Sequence, residues 1–272
     1  MVVRRMWLLY VPGAVVNEQA ARGGVVEQPI CGAQGRIVLT ISYFSGGVSS
    51  AVATKLANDE IDRIVYTHID DQHEDTMRFV KDCEAWFGKP VEILQSRFKT
   101  VDEACRYASF VRGPSGAPCT RILKRDVRKN FEATVDGKIR AVWGLDYGEE
   151  NRIERIKHSM PKHDHLFPLA DKKIRKQEAH EILKASGIER PAMYKMGYHN
   201  NNCIGCVKGG AGYWNKVRVD FPEVFESRSK LERTIGYSIL KIAYLDELDP
   251  NAGRHEGPII DDCGIMCELI SL

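Results

Sequence analysis

A short loop rich in serine and glycine is the first feature of the sequence that could perform chemistry. The loop follows the β-branched, apolar segment 37–44 and consists of Ser45, Gly46, Gly47, Val48, Ser49 and Ser50. Glycines let the backbone approach an anion closely, and the N–H groups that open a following helix attract phosphate. The serine hydroxyls add further donors. This pattern predicts a nucleotide phosphate site at residues 45–50.

The cysteines are the second group of residues suited to chemistry. Cys203 and Cys206 enclose Ile-Gly in a loop rich in glycine and asparagine, and Cys263 and Cys267 form a close pair in the tail. Two thiolate pairs are a suitable ligand set for Zn²⁺ or an iron–sulfur cluster, so these four cysteines are predicted metal ligands. A competing set combines Cys119 with Cys203 and Cys206. The three others are interpreted as structural: Cys31, Cys83 and Cys105.

Composition restricts the class of protein. Among 272 residues, 43% are hydrophobic and 28% charged, which is ordinary for a globular protein. The net charge of +2 gives no global field for DNA or membrane binding. Eight cysteines in a chain this long do not suggest a disulfide-stapled secreted domain, so we expect a reducing, cytoplasmic location. No apolar run reaches the roughly 18 residues that a membrane span needs.

Two short stretches are strongly basic within this balanced chain. Residues 121–129 read RILKRDVRK, and residues 172–176 read KKIRK. They are interpreted either as solvated helix faces or as a rim that holds nucleotide phosphates or a nucleic-acid substrate.

Strand patterns alternate with helix patterns along the middle of the chain. Strands are predicted at 37–44, 61–69, 91–96 and 139–145, and helical segments at 50–59, 74–88 and 170–187. Residues 99–134 are predicted to be mostly helical, broken by the turn GPSGAP at 113–118. This order predicts an α/β fold, a doubly wound parallel sheet with helices on both faces. Ligands of such sheets bind beyond the carboxyl ends of the strands. The loops after Phe44, Ile69 and Leu145 are therefore expected to share one crevice.

The pattern changes at both ends of this α/β region. Residues 1–35 are predicted to be a disordered extension, and residues 36–190 a nucleotide-binding domain. Residues 191–272, with both close cysteine pairs, are predicted to form a small C-terminal module.

The loop 45–50 resembles the pyrophosphatase loop of the PP-loop superfamily, Ser-Gly-Gly-x-Asp-Ser. That superfamily includes ATP pyrophosphatases, tRNA thiolation enzymes and sulfonucleotide reductases. Ser49 stands where the ATP-cleaving members usually carry aspartate. This departure favours the reductase-like branch over a magnesium-pyrophosphate role.

Four further segments, in the right order, resemble the phosphoadenosine phosphosulfate reductase-like family. They are YTHIDDQHEDTMRFV, PCTRILKR, WGLDYGEENRIER and LFPLADKKIRKQEAHEILKASGI. The resemblance implies that Asp70 and Asp71 carry adenine and ribose. It also implies that Arg121, Lys124, Arg125 and Arg152 hold the sulfate or extra phosphate of the nucleotide. Gly144 and Glu150 match the glycine and the acidic residue of the family's strand end, which implies that they too belong to the nucleotide site.

The cysteines have counterparts in this family as well. The segment Asp262–Ile265 is similar to the reductases' C-terminal Glu-Cys-Gly-Leu, which implies that Cys263 is a catalytic nucleophile; a metal-ligand role for Cys263 is the alternative. The expected histidine is replaced by Met266. Cys119 resembles a cysteine of the reductases that carry a cluster, and it is the second catalytic candidate.

The resemblance implies an enzyme of sulfur chemistry that acts on an adenine nucleotide, phosphoadenosine phosphosulfate or ATP. The first interpretation is sulfonucleotide reduction or related sulfur transfer, with a thioredoxin-like reductant as partner. The second is ATP-dependent thiolation of a nucleic-acid or other acceptor. The third is a non-catalytic nucleotide-binding protein with a structural zinc. An iron–sulfur cluster or Zn²⁺ is the implied metal cofactor.

Overall fold

The computed structural model describes residues 38–113, 116–241 and 243–254. Within these residues the centre is a parallel sheet of five strands in the order β3-β2-β1-β4-β5. The strands are β1 (Val38–Phe44), β2 (Arg63–His68), β3 (Val91–Gln95), β4 (Lys138–Val142) and β5 (Asp164–Leu166). Ile41 of β1 is in register with Arg63 of β2 and with Ala141 of β4. The predicted doubly wound α/β fold is confirmed.

Helices connect the strands and continue beyond them. They are α1 (Val48–Leu56), α2 (Asp75–Phe87), α3 (Val101–Ala108), α4 (Pro118–Thr120), α5 (Asp126–Glu132), α6 (Glu150–Ser159), α7 (Pro168–Asp171), α8 (Lys176–Ala185), α9 (Ala192–Lys195), α10 (Ala211–Asp220) and α11 (Pro222–Ile235). A π-helical turn, Arg121–Arg125, joins α4 to α5. Short 3₁₀ turns lie at Asn58–Glu60 and Leu245–Glu247.

The two faces of the sheet carry separate hydrophobic cores. Successive side chains of a strand point to opposite faces, so β1 contributes Phe44 to one core and Ile41 to the other. The Phe44 core includes apolar residues of α1, α2 and α8. The Ile41 core includes residues of α5 and α6, such as Phe131 and Ile156. Buried strands between two helical layers hold the loops at the carboxyl edge in fixed positions.

Residues 191–254 pack around a third core that they share with α3 and the π-helical turn. Trp214 and Leu231 are fully buried there beside Leu123. Glu232 is also fully buried, and its carboxylate accepts hydrogen bonds from the backbone N–H groups of Ile239 (2.7 Å) and Leu245. None of the helices in the described ranges is long and apolar enough to cross a membrane.

Several elements differ from the sequence prediction, among them helix α6, which was not predicted. The helix predicted over 170–187 is divided into α7 and α8, because Lys173 adopts a left-handed backbone with φ 56°. Strand β5 was not predicted, since its three residues are too few for a recognisable alternation. The predicted extension 1–35, Cys31, and the tail pair Cys263 and Cys267 lie outside the described residues.

Candidate functional site

The predicted phosphate loop forms a tight turn between β1 and α1. The hydroxyls of Ser45 and Ser50 are 2.8 Å apart, and the Ser50 hydroxyl donates to the Gly47 carbonyl at 2.9 Å. Gly46 has φ 77°, and a Cβ there would lie 3.1 Å from Cε2 of Tyr66. Both the left-handed backbone and the close ring require glycine at this position. The turn therefore folds back on itself and brings the start of α1 to the carboxyl edge of the sheet.

The amino terminus of α1 has the properties of an anion site. Gly47 occupies its N-cap position without a capping side chain, and the first turn contains no acidic residue. The N–H group of Val48 points to the Tyr194 hydroxyl at 3.4 Å, and Ser49 is half-buried in the same turn. Backbone N–H groups and the positive end of a helix dipole are the features that attract phosphate at helix amino termini in general, so phosphate binding by residues 45–50 stays a prediction.

The loop lies where the strand order reverses. Strand β1 pairs with β2 on one side and with β4 on the other, so the connections diverge between β1 and β4. Ligands of doubly wound sheets bind at this point. The backbone of Gly144, after β4, packs directly against the backbone of Ser50. A Cβ on Gly144 would lie 2.5 Å from the Cα of Ser50. The loops after Phe44 and Leu145 thus meet in one crevice.

Charged side chains gather just beyond Gly144. Asp146 is half-buried, and burial and the nearby Glu149 carboxylate raise its pKa to about 6, against the opposing charges of Lys176, Arg152 and Arg175. Arg152, which is 7% exposed, pairs with Glu149. An anionic ligand at the phosphate loop would meet these cations, while an ionised Asp146 would repel it.

We expect nucleotide affinity to fall as pH rises from 5 to 7, because Asp146 loses its proton near pH 6 and its negative charge repels phosphate. Asp146→Asn should remove that part of the pH dependence and bind about three- to fivefold more tightly than wild type at pH 7. Nucleotide phosphates titrate in the same range, so the measured quantity is the difference between variant and wild type in calorimetric titrations.

Asp59→Asn, in the 3₁₀ turn beyond the far end of α1, is the control. Equal pH profiles for Asp146→Asn and wild type would contradict this role.

Three consecutive asparagines cover the crevice, and sequence reasoning did not identify them. Asn200, Asn201 and Asn202 are each 6% exposed or less. The Asn201 amide donates to the Gly46 carbonyl at 2.8 Å and to the Thr76 hydroxyl at 3.1 Å. Lys176 donates to the Asn200 side chain at 2.5 Å. Side-chain amides thus fasten the segment before the cysteine pair onto the phosphate loop.

The remaining nucleotide residues predicted from the resemblance occupy different places. Asp70 is exposed at the end of β2 and accepts from Gln95 at 2.9 Å. Both carboxylate oxygens of Asp71 are engaged, one by the Val101 N–H at 2.5 Å and the other by buried Arg228. Glu150 is the exposed first residue of α6. Their roles in nucleotide binding stay predictions.

The structure brings three predicted cysteines to one small cavity. Cys203 and Cys206 are buried, Cys119 is half-buried, and all three line a cavity of about 10 Å³. That volume is the size of about one water molecule. Lys124 lines the same cavity. Asn201 contacts the phosphate loop, and Cys203 follows it by two residues. The Cα atoms of Asn201 and Cys203 therefore lie within about 7.6 Å of each other, which brings the cysteine cavity close to the phosphate loop.

The described part of the structure does not test the predicted metal ligands fully. Throughout the described ranges, no three His, Cys, Asp or Glu side chains are grouped so that they could hold a metal ion. The predicted ligand set Cys203, Cys206, Cys263 and Cys267 includes two residues outside those ranges. Metal binding by either predicted set therefore stays a prediction.

The basic residues of the second resembling segment lie on the π-helical turn. Lys124 faces the cysteine cavity, whereas Arg121 lines a separate, larger cavity beside β3. Burial raises the pKa of the Tyr66 hydroxyl, and the positive charge of Lys124 opposes that rise, so Lys124 is also close to Tyr66. Arg125, the last residue of the π-helical turn, is half-buried. Such π turns are rare and often occur at functional sites.

The chain is a doubly wound α/β protein with a glycine-rich strand-to-helix turn at its switch point. No protein-family model matches the chain, and no curated protein matches it. Among solved structures, the chain is similar to a phosphoadenylyl-sulfate (PAPS) reductase from Candida auris, determined as a phosphate complex. That similarity has a TM-score of 0.40 at 8% sequence identity, over 61% of this chain and 80% of the other.

Proposed function

We propose that this protein is an enzyme that binds an adenine nucleotide in the crevice between β1 and β4 and performs sulfur chemistry with Cys119, Cys203 and Cys206. The observation that carries the proposal is the proximity of two sites. The anion-binding loop 45–50 and the cysteine cavity are linked through Asn201, which hydrogen-bonds the Gly46 carbonyl. Adenine as the base follows from the resemblance of the loop and of the four segments.

The substrate that fits best is a nucleotide with a sulfate group, such as phosphoadenosine phosphosulfate. Such a ligand carries several negative charges, and the crevice offers the α1 terminus together with Arg152 and Lys176. Ser49 in place of aspartate removes a carboxylate that would otherwise lie at the phosphate loop. These features favour a sulfonucleotide over a magnesium nucleotide.

The reaction that fits these residues is a two-electron reduction. A cysteine thiolate attacks the sulfur of the sulfate group, the S–O bond to phosphate breaks, and adenosine 3′,5′-bisphosphate leaves. The protein sulfur then carries a sulfonate group. A thiolate of a dithiol reductant attacks the cysteine sulfur and releases sulfite, and the second thiol of the reductant resolves the mixed disulfide. Cys119 is the nucleophile candidate within the described residues, since it is the more exposed of the three.

A second candidate function, ATP-dependent thiolation, is favoured by the three cysteines around one cavity. Three thiols beside a nucleotide crevice could hold a transferable sulfur as well as reduce a sulfonucleotide. This reaction consumes ATP and a sulfur donor such as sulfide. The acceptor oxygen is adenylated with release of pyrophosphate, sulfur then replaces that oxygen, and the oxygen leaves with AMP.

Product analysis distinguishes the two functions. The anaerobically purified full chain is incubated either with phosphoadenosine phosphosulfate and dithiothreitol, or with ATP, sulfide and a single-stranded RNA as acceptor. We expect sulfite and adenosine 3′,5′-bisphosphate in equal amounts from the first mixture. AMP and pyrophosphate from the second mixture would support thiolation instead. The proposal is wrong if neither nucleotide binds to the chain, as measured by equilibrium titration.

A further inference from the structure

A large cavity beside the edge strand β3 belongs to neither the nucleotide crevice nor the cysteine cavity. It has a volume of about 590 Å³ and lies between the end of β3 and the helical segment 121–134. Its floor is apolar, with Leu94, Ile122 and Phe131. A cavity of several hundred Å³ with an apolar floor and polar rim is typical of ligand sites.

One end of this edge cavity is built from aromatic rings and arginine. Tyr107 is 61% exposed, and its ring centroid lies 4.8 Å from that of Phe98. The guanidinium of Arg97 lies over both rings, 4.6 Å from the Phe98 centroid and 5.1 Å from the Tyr107 centroid. An exposed aromatic ring beside an arginine offers a stacking surface for a nucleobase.

The rim of the edge cavity supplies charge and hydrogen bonds. Arg97 and Arg121 both line it, and Asn130 adds a side-chain amide that can pair with a base edge. Asp126 is the carboxylate among the lining residues, so the two arginines leave a net positive charge. Single-stranded nucleic acid is bound by positively charged side chains that contact its phosphates, together with aromatic rings on which its bases stack.

The edge cavity also has a defined relation to the cysteines. Arg121 and Ile122 line it, while Leu123 and Lys124, the next two residues, line the cysteine cavity. A single π-helical turn thus separates the two cavities. We propose that the edge cavity is a second ligand site that binds single-stranded nucleic acid, with a base stacked on Tyr107 and phosphates on Arg97 and Arg121.

Fluorescence anisotropy of the full chain with a labelled 12-nucleotide single strand and a 12-base-pair duplex tests this inference. At 50 mM salt we expect the single strand to bind at least tenfold more tightly than the duplex, because a duplex offers no exposed base face. Tyr107→Leu should weaken single-strand binding about tenfold. Arg121→Gln should weaken it too, and should reduce the dependence of affinity on salt.

A matched pair elsewhere in the chain provides the control. Arg233 lies over the ring of Tyr244 at 3.8 Å, in the 191–254 segment, so Tyr244→Leu removes the same kind of arginine-stacked tyrosine without touching the edge cavity. Binding to Tyr244→Leu should equal wild type. Adenine-nucleotide affinity, measured in parallel, should be unchanged in Tyr107→Leu, which separates this site from the proposed nucleotide site. Equal affinity for single strand and duplex, no binding at 50 mM salt, or unaltered binding in both Tyr107→Leu and Arg121→Gln would overturn the inference.

Discussion

Gly144→Ala should abolish adenine-nucleotide binding, with affinity reduced by at least about a hundredfold. The added Cβ would lie 2.5 Å from the Cα and 2.7 Å from the backbone nitrogen of Ser50, closer than any real contact. Backbone atoms cannot rotate away as a flexible side chain can. The start of α1 must therefore shift from the end of β4, and its N–H groups lose the geometry that binds phosphate.

Gly148→Ala is the matched control for this prediction. Gly148 lies in the same loop with φ 114°, and nothing lies within 4 Å of a Cβ placed there. The substitution should cost about 1–2 kcal/mol of stability through its backbone conformation and leave nucleotide affinity within about twofold. Calorimetric titration gives the affinities, and circular dichroism shows that both variants are folded. Wild-type affinity in a folded Gly144→Ala protein would mean that the crevice between β1 and β4 is not the nucleotide site.

The α/β fold was predictable because its signals are local. Short apolar strands such as 37–44 alternate with helical patterns, and this order alone implies a parallel sheet. The turn at 45–50 was predictable for the same reason, since strand, glycine pair and helix follow one another directly. Strand β5 was missed because its three residues gain their strand conformation by pairing with β4.

The asparagine cover could not be predicted, because its meaning depends on contacts across the chain. Asn201 is 155 residues from Gly46, to which it hydrogen-bonds, and an asparagine run in a sequence is more typical of an exposed loop. The contacts of Asp71 also depend on residues that are distant in the sequence. Its place after a strand suggests a ligand-binding carboxylate, but the structure shows that Val101 and Arg228 engage both oxygens. In each case the partner lies too far along the sequence for a pattern to reveal it.

The edge cavity connects the two candidate functions. The product of a sulfonucleotide reductase is sulfite, and that reaction requires no macromolecular acceptor. A thiolation enzyme does require one, and a single-strand site one π-helical turn from Cys119 would place such an acceptor close to the transferable sulfur. Nucleic-acid binding at Tyr107 would therefore favour thiolation, and its absence would favour reduction.

Cys119→Ser should lower sulfur turnover by at least about a thousandfold while nucleotide affinity stays within about twofold. The thiol lines the cysteine cavity together with Lys124, and a serine hydroxyl at the same place is a far weaker nucleophile than a thiolate. Turnover is measured as sulfite or pyrophosphate release in single-turnover experiments, with nucleotide binding measured separately. Cys119 should also be alkylated faster than fully buried Cys83, the pKa of which is raised by burial.

Two further variants show which cysteine reacts first. Cys83→Ala removes a buried thiol in the Phe44 core and should leave turnover unchanged in the folded protein. Cys263→Ser tests the tail cysteine that the resemblance implies as nucleophile. If Cys119 carries the attack, Cys263→Ser retains formation of the sulfonated enzyme, detected by mass spectrometry of the intact protein, and Cys119→Ser does not. The reverse result would move the nucleophile to Cys263 and leave Cys119 as a residue of the cavity wall, because only the sulfur that attacks can carry the sulfonate group.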